Sequence, residues 1–330
     1  MIISKTPLRI SFAGGGTDLR SYYKYNRYGA VLSTSLNSYL YVTVKKQSPL
    51  FQEKYRLNYS ETEMKNDLEE IKNPIIRECI RFLEIDDSLY ISTISDTPGS
   101  TGLGSSSTFC VGLLNALYKF KGEAVSAGSL AEEAAFIECD VLKRPMGKQD
   151  HYAAAYGGIN YIRFYDDETV TVRPIIMTND NKNIFSDSVL MFWTGITRPS
   201  ESVLKEQDRN SRSNKKILTK MKNQALDLSK ILTSNDFSTN RIGVLLNKGW
   251  KYKKSLATNI SNDLIDKCYE DAIKNGAIAG KISGAGGGGF LTLISDPLKH
   301  DMLTEVMKKH GLVKYRFGLD SSGTSVAKLD

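Results

Sequence analysis

PGSTGLGSSST, Pro98 to Thr108, is the stretch on which the reading of this chain turns. It holds three glycines and four serines in eleven positions. LYISTIS (89–95) before it reads as a short strand, and TFCVGLLNALYKF (108–120) after it is apolar all round, as a buried helix is. A Gly/Ser loop that ends where a buried helix begins offers free backbone N–H groups and the positive end of the helix dipole to one spot, which makes an anion site. Small side chains let phosphate oxygens reach the backbone, and Ser105, Ser106 and Ser107 add hydroxyls able to bind phosphate or a magnesium ion. No lysine occurs between 98 and 118, so the Walker A loop is excluded.

Two further glycine runs stand far from the first. KISGAGGGGF (281–290) has five glycines between 284 and 289, flanked by short apolar strands. A strand follows it where a dinucleotide fingerprint needs a helix, so a Rossmann reading is poor. Four consecutive glycines are costly in conformational entropy unless something requires close approach to the backbone. AGGGTD (13–18) ends in a carboxylate.

Around these loops the chain has the composition of an ordinary soluble protein: 330 residues, 41% hydrophobic, 25% charged, 8 prolines. The length suggests two domains. No window reaches 18 apolar residues and the start has no long apolar run, so a cytoplasmic protein without a membrane partner is expected. The four cysteines show no CxxC spacing and the three histidines no HExxH, which excludes a disulfide framework and a zinc site. The net charge of +7 favours anionic partners. KGWKYKK (248–254) could be a nucleic-acid patch, but a solvated helix face with packed stems is the better reading, and no nucleic-acid partner is expected.

MIISKTPLRISFAG reads as a strand broken at Pro7, SYLYVTVKK (38–46) as a strand and NPIIRECIRFLE (73–84) as a helix. SLAEEAAFIECDVL (129–142) opens with Ser129 and Glu132 in capping-box spacing. GGINYIRFY and ETVTVRPI form strands before the polar stretch TNDNKN (178–183), where the boundary falls: domains 1–180 and 181–330. The second half reads as a strand at VLMFWTG, helices at about 212–233, 238–258 and 263–275, strands at 278–283 and 289–294, a helix after Pro297 and a last strand at 313–318. The class is α+β.

Phosphoryl transfer needs in-line positioning, charge neutralisation and a group that orients the attacking hydroxyl. Glu138 shares one helix face with Leu130, Ala134, Val141 and Leu142, and a carboxylate in an apolar stripe must be paired or bound to metal. A magnesium ion held with Ser106 and a buried salt bridge both satisfy that rule. Asp150 in MGKQDHYAAAYGG stands where a helix begins, as a general base or as a cap.

Three separated glycine loops with PGSTGLGSSS in the middle resemble the GHMP kinases over the whole chain. The resemblance implies an ATP phosphate loop at Pro98, Gly99, Gly102, Leu103, Gly104, Ser105, Ser106 and Ser107, with the third motif packed against it, Gly286 and Gly287 toward the nucleotide and Gly284 toward the substrate. It implies Glu138 as magnesium ligand and Asp150 as general base. TPLRISFAGGGTDL can be laid without gaps on the galactokinase signature, which implies Arg9 beside the base and γ-phosphate, and Asp18 and Thr17 at the sugar hydroxyls. Where galactokinases carry Glu-His, this chain has Gly15 and Gly16, which enlarges the sugar pocket. The combination of PLRISFAGGGTDL, GKQDHYAAAYGG and ISGAGGGGFL resembles the heptose 7-phosphate kinase branch: ATP and Mg2+ dependent 1-kinases of D-glycero-D-manno-heptose 7-phosphate, on the way to a nucleotide-activated heptose. Arg198 is the first choice for the 7-phosphate, with Lys205, Arg20 and Lys281 behind it. The implied fold is an N-terminal domain with a left-handed βαβ unit, like ribosomal protein S5 domain 2, and a ferredoxin-like C-terminal domain. A neutral-sugar 1-kinase of the same family and a nonenzymatic sugar and ATP sensor are the alternatives.

Overall fold

The computed structural model describes residues 1–329. The first part of the chain runs β1 (Ile2–Ala13), α1 (Arg20–Tyr23), β2 (Tyr28–Lys46), β3 (Tyr55–Asn58), β4 (Thr62–Lys65), α2 (Pro74–Phe82), β5 (Leu89–Ser95), α3 (Ser105–Lys121), α4 (Ala127–Ala135), α5 (Gln149–Tyr156), β6 (Ile159–Tyr165) and β7 (Val170–Pro174). The second runs α6 (Asn179–Asp187), β8 (Val189–Trp193), α7 (Glu201–Arg209), α8 (Lys215–Thr233), α9 (Thr239–Lys254), α10 (Asp263–Lys274), β9 (Ala277–Ile282), β10 (Phe290–Ser295), α11 (His300–Lys309), β11 (Val313–Tyr315) and β12 (Ser325–Lys328).

The first sheet has eight strands and is organised by β2, whose 19 residues pair with β1 along one side. On the other side Tyr28–Thr34 pair with β6 and Leu40–Lys46 with β5. β3 and β5 lie side by side and parallel, with β4 and α2 between them along the chain. Ile75, Ile76, Cys79 and Ile80 of α2 and the buried length of α3 close this face of the sheet. The second sheet is antiparallel in the order β11-β8-β10-β9; with helices after β8 and after β10 it has the ferredoxin-like βαββαβ arrangement. α8 links the two layers, since its Ala225, Leu228 and Leu232 share a core with Leu8, Ile10 and Leu32 of the first sheet and Met191 and Ile294 of the second.

Several local expectations are corrected. β1 is continuous through Pro7, which sits at a register shift between Pro7 and Arg9 where the ladder tolerates its missing N–H. The helix expected from Ser129 starts earlier, with Ser126 as cap accepting from Ser129 N at 3.0 Å. It then widens into a π-helical segment at Phe136–Val141. The extra residue in that turn keeps Glu138 on the buried face but turns Val141 out to solvent. The polar stretch TNDNKN, where the boundary was placed, opens a helix: Thr178 caps α6 there, accepting from Asn181 N. β12 returns to pair with β1, so the end of the chain belongs to the first sheet rather than to a unit running from 181 to 330. No helix among the described residues is long and apolar enough to cross a membrane.

Candidate active site

A cavity of about 440 Å³ opens between the two sheets, walled by all three glycine loops, the segment leading into α5, and α7, α8 and α9. The first wall is the start of α3. Gly104, its N-cap, is left-handed at φ 81° and supplies no capping side chain, so the first-turn N–H groups of Ser105, Ser106 and Ser107 face the cavity without a side-chain partner. The third loop packs on this one backbone to backbone: a Cβ on Gly284 would lie 2.5 Å from Gly102 Cα, and one on Gly102 would lie 2.5 Å from Ser283 O. Only glycine allows that approach, which fixes the phosphate loop from behind.

Behind α3 lies Glu138, fully buried, with one oxygen 2.5 Å from Ser106 Oγ and 2.6 Å from Arg144 Nη1, and the other 2.8 Å from His151 Nε2. Burial alone would raise its pKa, but the His151 ring, the Ser106 hydroxyl and the Arg144 charge together draw it down to about 2. Arg144 Nη1 also reaches Ser106 Oγ at 2.6 Å, so a cationic group already sits on the oxygen pair expected to hold magnesium. An ionised carboxylate and a hydroxyl are hard oxygen donors of the kind a magnesium ion takes; Ser106 lines the cavity, and Glu138 lies directly behind it with Arg144 on their shared edge.

The reacting corner is built by β1 and α5. Arg9 Nε and Nη2 donate to Asp150 Oδ1 and Oδ2 at 2.7 and 2.6 Å, and Nη1 donates to Gly102 O at 2.7 Å. Asp150 lies in the first turn of α5 and its carboxylate faces the cavity beside Gly104. One side chain thus ties the candidate base to the phosphate loop. Asp18 lies deeper, accepting from Gly16 N at 2.9 Å and Gln149 N at 3.4 Å. Burial, and then the charge of Asp150, push its carboxyl above the usual range.

Gly15, Gly16 and Gly284 line the cavity with Asp18, and Gly286 lines it from the third loop. Gly287 stands behind, its N–H bonded to Ile260 O at 2.8 Å. Leu103 is buried and holds β1 through its carbonyl, which accepts from Arg9 N. Pro98 and Gly99 are exposed at the start of the loop, outside the cavity wall. Thr17 does not face the cavity: its hydroxyl donates toward Gly14 O and Ala30 O and accepts from Ala30 N, closing the first glycine loop. Arg198 reaches the rim beside Gly287, with Nη1 3.2 Å from Asn259 O. Arg20 pairs with Asp140 and Glu168 and Lys205 with Glu201, and neither lines the cavity.

Sequence reasoning missed Arg144, His151, Gln207, Trp250 and Lys253. Lys253 and Trp250 had a signal, since residues three apart on α9 share a face. Within KGWKYKK, Lys248 and Lys251 are solvated as expected, whereas Trp250 and Lys253 are buried and line the cavity. Five cavity residues carry a buried polar atom without a partner: Ser11 Oγ, Ser107 Oγ, Gln149 Oε1, Gln207 Nε2 and Trp250 Nε1. So many unmet polar groups around one cavity mark a seat for a polar ligand.

A glycine-walled anion cradle, a buried carboxylate beside its serine and a carboxylate–arginine fork together define a small-molecule kinase site. Two family descriptions match the chain, "GHMP kinases N terminal domain" at residues 73–158 and "GHMP kinases C terminal" at 235–311. The D-glycero-alpha-D-manno-heptose 7-phosphate kinase of Campylobacter jejuni is 32% identical over 95% of this chain and 95% of its own. A putative sugar kinase from Campylobacter jejuni superposes with a TM-score of 0.74 at 26% identity, covering 99% of this chain and 98% of that one. A D-glycero-D-manno-heptose 1-phosphate kinase from Bacteriodes thetaiotaomicron shares the fold with a TM-score of 0.82 at 24% identity over the whole of both chains. The chain belongs to the GHMP kinase family, and its chemistry is that of a phosphotransferase.

Proposed function

We propose that this protein transfers the γ-phosphoryl group of ATP to the anomeric hydroxyl of D-glycero-D-manno-heptose 7-phosphate, giving the 1,7-bisphosphate on a route to nucleotide-activated heptose. The observation that carries the reading is the Arg9–Asp150 fork, set between the uncapped start of α3 and the orphaned polar groups of the cavity. The full-length similarity to the Campylobacter jejuni heptose 7-phosphate kinase supports the choice of sugar.

In this reading the N–H groups of Ser105 to Ser107 hold the ATP phosphates and the third loop keeps them in place. Asp150 accepts a hydrogen bond from the anomeric hydroxyl, orients its oxygen at the γ-phosphorus and takes its proton as the bond to phosphorus forms. Arg9 pairs with the Asp150 carboxylate and fixes its plane. Asp18 holds a sugar hydroxyl. Ser106 and Glu138 hold magnesium, which when bound supplies charge neutralisation at the phosphate oxygens.

ADP release with ATP and Mg2+ tests the reading across heptose 7-phosphate, heptose 1-phosphate, free heptose, galactose, fucose and mannose 6-phosphate. Turnover of heptose 7-phosphate above the others, lost in Asp150→Asn, is the expected result. Preference for a neutral hexose would replace the substrate but keep the kinase, and no turnover at all would favour a sensor.

A further inference from the structure

Two lysines in the cavity have no role in the chemistry above. Lys253 of α9 is buried, and its Nζ donates to Gln207 Oε1 at 3.0 Å. Lys281, at the end of β9, donates to Ser11 O at 2.6 Å and approaches Phe12 O at 3.5 Å. Both line the same cavity, and among the described residues neither ammonium has a carboxylate within ion-pair distance. Their partners are neutral oxygens that leave N–H donors free on each. Burial lowers both pKa values, to about 8 for Lys253 and about 7 for Lys281, and for Lys281 the nearby charge of Lys253 lowers it further. Burial and mutual repulsion both oppose the charge on this pair, and the Asp18 carboxylate offsets that only in part, at Lys253. Such a pair persists where an anion completes it.

Position says which anion. The nucleotide phosphates already have the start of α3 and Arg144. Lys253 is carried by α9, within reach of the Asp18 charge. Its partner Gln207 lies against Gly16: a Cβ there would be 3.5 Å from Gln207 Oε1. This is the end of the cavity that the Gly15–Gly16 pair widens. Gln207 Nε2 and Trp250 Nε1, both without partners, add two donors at the same end. Two cations and two neutral donors match the charge and the acceptors of a phosphate monoester dianion.

We propose that Lys253 and Lys281, with Gln207 and Trp250, form the seat for a phosphate monoester carried by the sugar, at the Gly15–Gly16 end of the cavity. The assignment rests on the sugar-phosphate reading above and moves the seat away from Arg198, which lies at the third glycine loop.

Calorimetric binding of heptose 7-phosphate and of free heptose, in the absence of ATP, is compared for the wild type, Lys253→Gln, Lys281→Gln and Lys254→Gln, with Tm measured for each. Lys254 neighbours Lys253 but pairs with Asp266 outside the cavity, so its variant serves as control. The expected result is tighter binding of the phosphorylated sugar by the wild type, a preference that falls roughly 10- to 100-fold in either cavity variant, and an unchanged preference in the control. KM for ATP should stay put in all of them. The proposal is overturned if the preference survives loss of either lysine in a folded variant, if the wild type shows none, or if KM for ATP rises in its place. Turnover of heptose 7-phosphate with the preference unmoved would keep the function and sink the seat. Lysine-dependent binding without turnover would keep the seat and sink the function.

Discussion

Arg9 and Asp150, 141 residues apart in sequence, meet as a two-pronged ion pair at 2.7 and 2.6 Å, and the third prong of the guanidinium holds Gly102 of the phosphate loop at 2.7 Å. The candidate base and the proposed nucleotide cradle are thus positioned by one side chain, 5% exposed, that rises from β1. A planar fork of this kind fixes distance and orientation together, which a point charge cannot do.

Asp150→Asn keeps the shape but loses proton acceptance, so kcat should fall about 10²- to 10⁴-fold with KM for ATP nearly unchanged. Arg9→Lys should fail to restore wild-type kcat, because lysine cannot hold both carboxylate oxygens and Gly102 O at once. Steady-state ADP release at saturating ATP reads both. An Arg9→Lys enzyme with full kcat would show that charge alone suffices at this position.

Glu138 makes stability depend on acid. Its folded pKa of about 2 lies below its ordinary 4.5, so the unfolded chain takes up a proton first as pH falls. The carboxylate therefore stabilises the fold fully above about 4.5, and that contribution, on the order of 3 kcal/mol, is lost as pH falls from there toward 2. Urea unfolding at pH 6 and pH 3.5 should show a smaller difference for Glu138→Gln than for wild type. The same variant should need more Mg2+ for half-maximal rate. Equal pH slopes for the two proteins would mean that the His151 and Arg144 contacts do not hold the charge in solution.

The contact of the second and third glycine loops can be broken with one methyl group. Gly284 is left-handed at φ 71°, and its added Cβ would meet Gly102 Cα at 2.5 Å and Gly102 O at 2.9 Å. Gly284→Ala should destabilise the protein by on the order of 3 kcal/mol, from backbone strain and forced separation of the loops. Because Gly102 leads directly into the start of α3, KM for ATP should rise as well. Thermal unfolding and ATP titration check the two effects separately, and an unshifted Tm would place the loops farther apart than described.

What the sequence showed and what it hid divide by range of interaction. The glycine-capped start of α3 was legible because a glycine before an apolar helix is a local pattern, and the burial of Glu138 because Leu130 and Ala134 precede it at helical spacing. The π-helical turn at Phe136–Val141 was not, since it adds a residue to the turn without altering the polarity pattern that announced the helix. Lys253 was read with its neighbours as solvated surface. Its burial depends on Gln207 from α7 and on Trp250, and no composition count around 248–254 contains that information. Thr17 erred the other way: the resemblance to the galactokinase signature implies a place for its hydroxyl in the sugar pocket, yet β2 passes close enough that Ala30 captures it.

The proposed sugar pocket is lined by Gly15, whose part in it can be tested without disturbing the backbone. Gly15 is not among the left-handed glycines, and an added Cβ would be 3.7 Å from Ser11 Oγ and 3.8 Å from Gln149 Nε2, ordinary contact distances. Gly15→Glu, which introduces the glutamate of the galactokinase pattern, should therefore fold with a change in stability within about 1 kcal/mol. Its carboxylate would enter the cavity near Asp18, where it takes up volume and repels a phosphorylated sugar. The expected result is a loss of kcat/KM for heptose 7-phosphate of at least about tenfold, carried mainly by KM, with a smaller loss for a neutral hexose. Equal losses on both sugars would point to a displaced Asp18 rather than a narrowed pocket, and no loss on either would remove Gly15 from the substrate path.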